Sequence, residues 1–171
     1  MNIVKIATVL KKTPMIIVYQ GEQKQFISNG FAMYDISELP TLYSTDQVYA
    51  ILGISPDKYQ VRIDALPIDI MASENDESVE PIAYEIKRIN GERFRIFKNE
   101  NAIIVIKQLF LKPLDDDEIY SYFLRRSKAG EKILVVNYGI LGDIMCVMEY
   151  KLKERQFFDD YEQILRLADR D

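Results

Sequence analysis

Residues 21–46 read GEQKQFISNGFAMYDISELPTLYSTD, and residues 91–116 read GERFRIFKNENAIIVIKQLFLKPLDD. In the gapless alignment that places Gly21 on Gly91, seven of the 26 positions are identical: Gly21/Gly91, Glu22/Glu92, Asn29/Asn99, Ala32/Ala102, Ile36/Ile106, Leu39/Leu109 and Asp46/Asp116. Unrelated stretches of ordinary composition share roughly two. Because an internal repeat dictates how a chain buries its core, this pattern predicts two similar units.

The first unit is predicted to begin with a three-stranded meander. Residues 15–19 form an apolar run rich in β-branched side chains, which is typical of a strand. Residues 23–28 and 31–37 predict two further strands. Between them, Asn29-Gly30 tolerates the positive φ angles of a tight hairpin turn.

A short helix and a fourth strand are predicted to complete this unit. Ser44 precedes Gln47 by three residues, a spacing that lets the two side chains cap a helix start reciprocally. Gly53 stands where a left-handed residue would end the helix. The sequence therefore predicts a helix over 45–52, followed by a strand over 58–63.

The second unit is predicted to repeat this order. On strand 92–98, Phe94 and Ile96 alternate with Arg93 and Arg95, as expected of a half-buried strand. Four acidic residues at 115–118 complement a helix dipole and predict a helix over 115–127. The other predicted elements are strands 82–89, 102–108, 131–138 and 143–151, and a terminal amphipathic helix over about 156–169.

These elements predict an α+β protein with an internal duplication of a β-β-β-α-β unit, in which short helices cover antiparallel sheets. We assign residues 1–68 to a first lobe and residues 82–171 to a second lobe, the two forming one compact unit. The polar, acidic stretch 69–81 is predicted to be an exposed connector.

This order of elements resembles that of the DNA sliding clamps, the polymerase processivity factors. Residues 45–63 (TDQVYAILGISPDKYQVRI) resemble a clamp helix and its outgoing strand, and residues 16–40 (IIVYQGEQKQFISNGFAMYDISELP) resemble a clamp hairpin. The resemblance implies paired outer sheets with helices that line a DNA hole. It also implies a phage or prophage accessory protein that works in DNA transactions.

Composition excludes several kinds of chemistry. The chain has no His, and Cys146 is its only cysteine, so the usual zinc ligand sets and His-dependent triads cannot be assembled. The run Met145-Cys146-Val147-Met148 alternates between strand faces and is interpreted as core packing. We therefore predict a protein that is not an enzyme and holds neither a cofactor nor a metal.

The same composition bears on compartment and partners. A lone cysteine suits a reducing environment, and the sequence has no apolar run of membrane-spanning length. Residues 1–12 lack the apolar core and small-residue cleavage site expected of a signal peptide. We predict a cytoplasmic protein without a membrane partner. The net charge of −5 opposes non-specific binding to nucleic acid, and residues 1–80 carry six basic and eleven acidic side chains.

Two groups of residues are candidates for binding partners. A basic face that would contact DNA phosphates comprises Lys87, Arg93, Arg95, Lys98, Lys107, Arg125 and Arg126. An interface helix for a protein partner or self-association presents Phe157, Tyr161, Ile164 and Leu165. The alternatives are a solvated outer sheet face for the first group and packing on the protein's own sheet for the second.

Three functional hypotheses follow. The first is a non-catalytic, clamp-like binding module in phage or prophage DNA transactions. The second is an inhibitor or adaptor whose acidic N-terminal half binds a basic protein surface without DNA contact; residues 45–52, unlike a helix that faces DNA, hold no Lys or Arg. The third, a carboxylate-dependent enzyme, requires two acidic groups that face each other in a cleft.

Overall fold

A computed structural model describes residues 1–67, 75–88, 91–139 and 142–151 of the chain. Within these ranges there are three short helices, α1 (Ile3–Leu10), α2 (Thr45–Leu52) and α3 (Gln108–Leu111). The strands are β1 (Met15–Gln20), β2 (Gln25–Ser28), β3 (Ala32–Asp35), β4 (Gln60–Ala65), β5 (Glu77–Lys87), β6 (Arg93–Lys98), β7 (Ile103–Lys107), β8 (Ser121–Arg126), β9 (Lys132–Asn137) and β10 (Asp143–Met148). The α+β class predicted from the sequence is confirmed.

These ten strands form one sheet in the order β4-β1-β2-β3-β10-β9-β8-β5-β6-β7. Neighbouring strands are antiparallel except β1 and β4, which run parallel. A parallel neighbour requires a long crossover, and the segment from β2 through α2 supplies it. The predicted antiparallel character is therefore correct for most of the sheet.

The local signals of the first unit are confirmed. Gly30 adopts a φ of 85° in the β2–β3 turn. The side chain of Ser44 accepts a hydrogen bond from the backbone of Gln47 and the Gln47 side chain returns one, so both arms of the capping box are present. Gly53 ends α2 in the left-handed conformation. The strands differ from the prediction only at their ends, since β2 and β3 are shorter and β4 begins two residues later.

The hairpin of β6 and β7 has the same register as that of β2 and β3. Ser28 pairs with Met33 in the first hairpin, and Lys98 pairs with Ile103 at the aligned positions of the second. In each predicted unit the strand after the helix lies beside the first strand, which gives the orders β4-β1-β2-β3 and β8-β5-β6-β7. The direction differs, because β4 is parallel to β1 whereas β8 is antiparallel to β5.

The helix predicted over 115–127 is wrong. Residues 121–126 form β8, which pairs with β5 on one edge and with β9 on the other. Ile119, which lies inside the predicted helix, is 90% exposed. Pairing on both edges satisfies the backbone along the whole segment, and this tertiary gain outweighs the local helical pattern. The helix that does precede β8, α3, is a single turn.

The N-terminal helix α1 is absent from the sequence-based prediction. The Asn2 side chain caps it by accepting hydrogen bonds from the backbone of Val4 and Lys5. Its buried residues are Ile6, Val9 and Leu10. A helix of this length gains most of its stability from packing rather than from propensity, so the sequence pattern alone was a weak signal.

The stretch predicted as an exposed connector divides into two parts. Residues 77–81 belong to β5, and Val79 is buried within it. Residues 68–74 lie outside the described residues, as do residues 152–171 with the predicted terminal helix. The predicted interface residues Phe157, Tyr161, Ile164 and Leu165 are therefore also outside the described residues.

One hydrophobic core joins the strands of both predicted lobes. It contains Val18 of β1, Tyr34 of β3, Ile104 of β7 and Met145 of β10. Strands from opposite ends of the sheet order thus contribute to the same core, which ties the two units together. Among the described residues, the structure contains no helix that is both long and apolar enough to cross a membrane.

Candidate functional site

The predicted basic face is divided between two faces of the sheet. Lys87 lies opposite Arg93 in the β5–β6 ladder, so these side chains share a face with Arg95, two residues farther along β6. Lys107 lies opposite Phe94 and therefore points to the other face, as Lys98 does by alternation. The seven predicted cations do not form one continuous surface.

Carboxylates pair with cations on both of these faces. Arg93 lies 3.9 Å from Glu85 on the first face. On the second face, the Lys107 ammonium lies 2.7 Å from Glu92 and 4.9 Å from the centre of the Tyr150 ring. These pairs lower the local positive charge that a phosphate backbone would need.

Arg125 was predicted on the basic face but is buried, with 2% of its surface exposed. Its Nε donates to Asp76 at 2.7 Å and its Nη2 donates to Asp143 at 2.8 Å. Burial by itself lowers the pKa of Arg125, but the hydrogen bonds to Asp76 and Asp143 outweigh it and raise the pKa. Arg125 therefore links β8 to the residue before β5 and to the first residue of β10, and it is unavailable to DNA, whereas Arg126 is exposed.

A cavity of about 430 Å³ lies between α1, the segment after β3, the segment before β8 and the start of β10. Most of its apolar wall comes from isoleucine and leucine. The apolar residues that line it are Met1, Ile3, Ile6, Ile36, Leu39 and Ile144.

Four carboxylates also line the cavity, and they come from two distant parts of the chain. Asp35 and Glu38 lie at and after the end of β3, whereas Asp115 and Glu118 precede β8. Lys24 is the one lysine in the lining, and it is held 3.5 Å from Asp35 and 3.1 Å from the Asp143 carbonyl oxygen. The cavity therefore combines an apolar wall with an excess of negative charge.

Two tyrosines pack against each other in the cavity wall. The rings of Tyr120 and Tyr138 lie 5.5 Å apart. The Tyr138 hydroxyl donates to Glu118, and this hydrogen bond raises the pKa of Tyr138. The Tyr120 hydroxyl accepts the backbone N–H of Asp115 at 3.1 Å. These contacts position the segment before β8, including its carboxylates.

The sequence held a partial signal for this cavity. The acidic run 115–118 predicts a helix start, whereas in the structure Asp115 and Glu118 line the cavity. Asp35, Glu38 and the two tyrosines carried no local pattern that distinguished them. Residues that converge from separate strands leave no fixed spacing in the sequence.

Cys146 lies in the core, as predicted for the run 145–148. The thiol is free, and burial raises its pKa from 9.0 to about 12. A neutral, enclosed thiol is a poor nucleophile because the thiolate is the reactive form. In the part of the chain that the structure describes, no group of three or more Asp, Glu or Cys side chains is arranged to hold a metal ion.

Comparison of this chain with protein-family models, with curated proteins and with solved structures finds no match.

Proposed function

We propose that this protein is a non-catalytic binding module, built from two clamp-like β-β-β-α-β units, that binds a protein partner through its acidic cavity. The observation that carries the proposal is the distribution of charge. The predicted cations are buried, paired or divided between two faces, whereas four carboxylates converge on one cavity. Such a surface favours a basic protein segment over a polyanion.

The two hairpins support the duplicated architecture in this proposal. Their register is preserved when the two stretches are aligned without a gap, and so is the order of the four strands in each unit. The resemblance of residues 16–40 to a clamp hairpin, and of residues 45–63 to a clamp helix with its outgoing strand, supports a role in phage or prophage DNA transactions. In that setting the module would contact a protein of the DNA machinery.

Two measurements test this function. We expect light scattering over a concentration series to give the mass of a monomer or dimer. We expect no change in the anisotropy of a fluorescein-labelled DNA duplex at low salt. A stable closed oligomer that binds the duplex would contradict the proposal and would support DNA encirclement instead.

A DNA-contacting clamp is the second candidate, and one observation favours it. Lys87, Arg93 and Arg95 share one sheet face. If this face binds phosphate, duplex affinity will fall steeply with salt, and Lys87→Gln will reduce the salt slope by about one unit. Salt-independent anisotropy would exclude this candidate.

A further inference from the structure

We infer that the cavity binds a lysine or arginine side chain of the partner, in a segment that also presents an apolar residue next to that cation. This inference rests on the proposed protein-binding function and specifies the chemistry of the partner. It is carried by the size of the cavity, by its uncompensated carboxylates, by its tyrosine pair and by one exposed isoleucine beside it.

The size and walls of the cavity suit a long amphipathic side chain. Its volume of about 430 Å³ lies within the range of roughly 300–1,000 Å³ that is usual for ligand sites. Ile36, Leu39 and Ile144 provide apolar surface. Lysine and arginine bury their methylene stems against such surface while the charged end reaches polar groups.

The four carboxylates of the cavity differ in whether a cation of the protein itself pairs with them. Asp35 is paired with Lys24, and Asp115 lies 3.4 Å from Lys5 and 3.7 Å from the Met1 amino group. These two acids are already compensated by cations of the protein itself.

Glu38 and Glu118 differ from them. The carboxylate of Glu38 forms no ion pair with any described residue, and Glu118 accepts a hydrogen bond from the neutral phenol of Tyr138. Both side chains are exposed at the cavity. An incoming cation would therefore find two carboxylates that no cation of the described chain neutralises.

The tyrosine pair adds a second feature suited to a cation. Tyr120 and Tyr138 line the same cavity as Glu118, with their rings 5.5 Å apart. The face of an aromatic ring attracts ammonium and guanidinium groups, and a planar guanidinium also stacks on it. The combination of ring faces and carboxylates discriminates a cationic side chain from a neutral one.

Ile119 supplies the reason to expect a protein segment and not a free cation. It is 90% exposed, and its two sequence neighbours, Glu118 and Tyr120, both line the cavity. An apolar residue beside the cationic side chain of a partner could cover Ile119 while the cation enters. A small free cation would leave this surface exposed.

The test uses nuclear magnetic resonance of the whole chain with three probes. They are the peptides acetyl-Gly-Leu-Arg-Leu-Gly-amide and acetyl-Gly-Leu-Glu-Leu-Gly-amide, and the single blocked residue acetyl-arginine-amide. We expect the arginine peptide to shift the amide signals of residues 36–39, 118–120 and 138 at about 1 mM, the affinity range of a single anchoring side chain. The glutamate peptide should leave these signals in place.

Matched variants assign the effect to the cavity. Glu38→Gln and Glu118→Gln are each expected to weaken the arginine peptide about two- to fivefold, the range of one exposed ion pair. Glu100→Gln is the control, because Glu100 is an exposed carboxylate in the β6–β7 turn that does not line the cavity. Ile119→Ser should weaken the peptide and leave acetyl-arginine-amide unchanged.

The possible outcomes separate the parts of the inference. Equal shifts with the glutamate peptide, or no shifts with the arginine peptide, would overturn the cavity assignment. If acetyl-arginine-amide binds as tightly as the arginine peptide, the cavity takes a small cation, and the inference that the cation belongs to a protein segment is overturned. Shifts confined to other surfaces would overturn the site, and with it the part of the proposed function that assigns partner binding to the cavity. Failure of the proposed function itself appears separately, as duplex binding in the anisotropy measurement.

Discussion

Asn29 and Asn99 hold the same position in two β-hairpin turns, one between β2 and β3 and one between β6 and β7. The backbone N–H of Asn29 donates to the Ala32 carbonyl at 3.2 Å, and that of Asn99 donates to the Ala102 carbonyl at 3.0 Å. In both turns the side-chain Oδ1 accepts the N–H two residues later, from Phe31 or from Asn101. Asparagine provides this local acceptor without the cost of a buried charge.

Removing the first of these side chains should destabilise the protein. In Asn29→Ala, the Phe31 and Ala32 N–H groups lose their acceptor, and Ala32 is buried. We expect the free energy of unfolding in urea to fall by about 1–3 kcal/mol, the cost of a buried donor left unpaired. Asn101→Ala, in the exposed part of the second turn, should change it by less than about 0.5 kcal/mol. Equal effects of the two substitutions would contradict this account.

Gln25 holds the segment that forms one wall of the cavity. Its buried amide nitrogen lies within 3.2 Å of the carbonyl oxygens of Ile36, Leu39 and Pro40, and its Oε1 accepts the Leu42 N–H. These contacts attach the segment after β3 to β2 through a single side chain.

We therefore expect Gln25→Ala to lower the free energy of unfolding by about 2–3 kcal/mol, because two buried and two part-buried backbone groups lose a partner together. The same substitution should shift the amide signals of residues 36–39. Gln60→Ala is the control, since Gln60 is exposed and does not line the cavity. A variant with unchanged stability and unchanged signals at 36–39 would show that the amide does not hold this wall.

Because Arg125 forms buried ion pairs, replacing it should lower the stability of the protein strongly, whereas replacing the neighbouring Arg126 should change the stability very little. Arg125→Leu leaves Asp76 and Asp143 without their cation in a largely buried position. We expect a loss of about 3–5 kcal/mol in urea unfolding, as for other broken buried pairs. Arg126→Leu, at the exposed neighbouring position, should stay within about 0.5 kcal/mol of the parent protein. A loss below about 1 kcal/mol for Arg125→Leu would mean that solvent reaches the two carboxylates.

Because the thiol of Cys146 is buried, we expect the stability of the protein to fall as the pH rises in the alkaline range. Its pKa is raised by burial from 9.0 to about 12, so the folded protein retains the thiol proton that the unfolded chain releases. This contribution to stability is fully present below pH 9.0 and is lost as pH rises from 9.0 towards about 12.

Two measurements check this: the free energy of unfolding in urea as pH rises above 9.0, and the reaction of the thiol with a disulfide reagent at about pH 8, in native buffer and in urea. We expect the native protein to react far more slowly than the unfolded chain. Cys146→Ala should abolish the reaction in both conditions and should remove the part of the alkaline stability loss that belongs to the thiol. Rapid reaction of the native protein would contradict the buried position.

The features that sequence analysis predicted correctly are those with short-range causes. The Asn29-Gly30 turn, the Ser44–Gln47 capping box and the Gly53 helix end each depend on residues within about ten positions of one another. The alternation of Phe94 and Ile96 with Arg93 and Arg95 likewise follows from the strand repeat alone. Steric and hydrogen-bonding preferences between residues this close in sequence do not depend on how the rest of the chain packs.

The tertiary structure decided the features in which distant segments compete for the same backbone or the same charge. Residues 121–126 carry a helical pattern, but two neighbouring strands pair with them and make them β8. The sequence predicts Arg125 to be a surface cation, but in the structure it pairs with Asp76 and Asp143, which lie 49 and 18 residues away in the chain. Glu38 and Glu118 reach one cavity from separate segments. Burial and pairing at such separations depend on the folded arrangement, because no local spacing encodes which strands become neighbours.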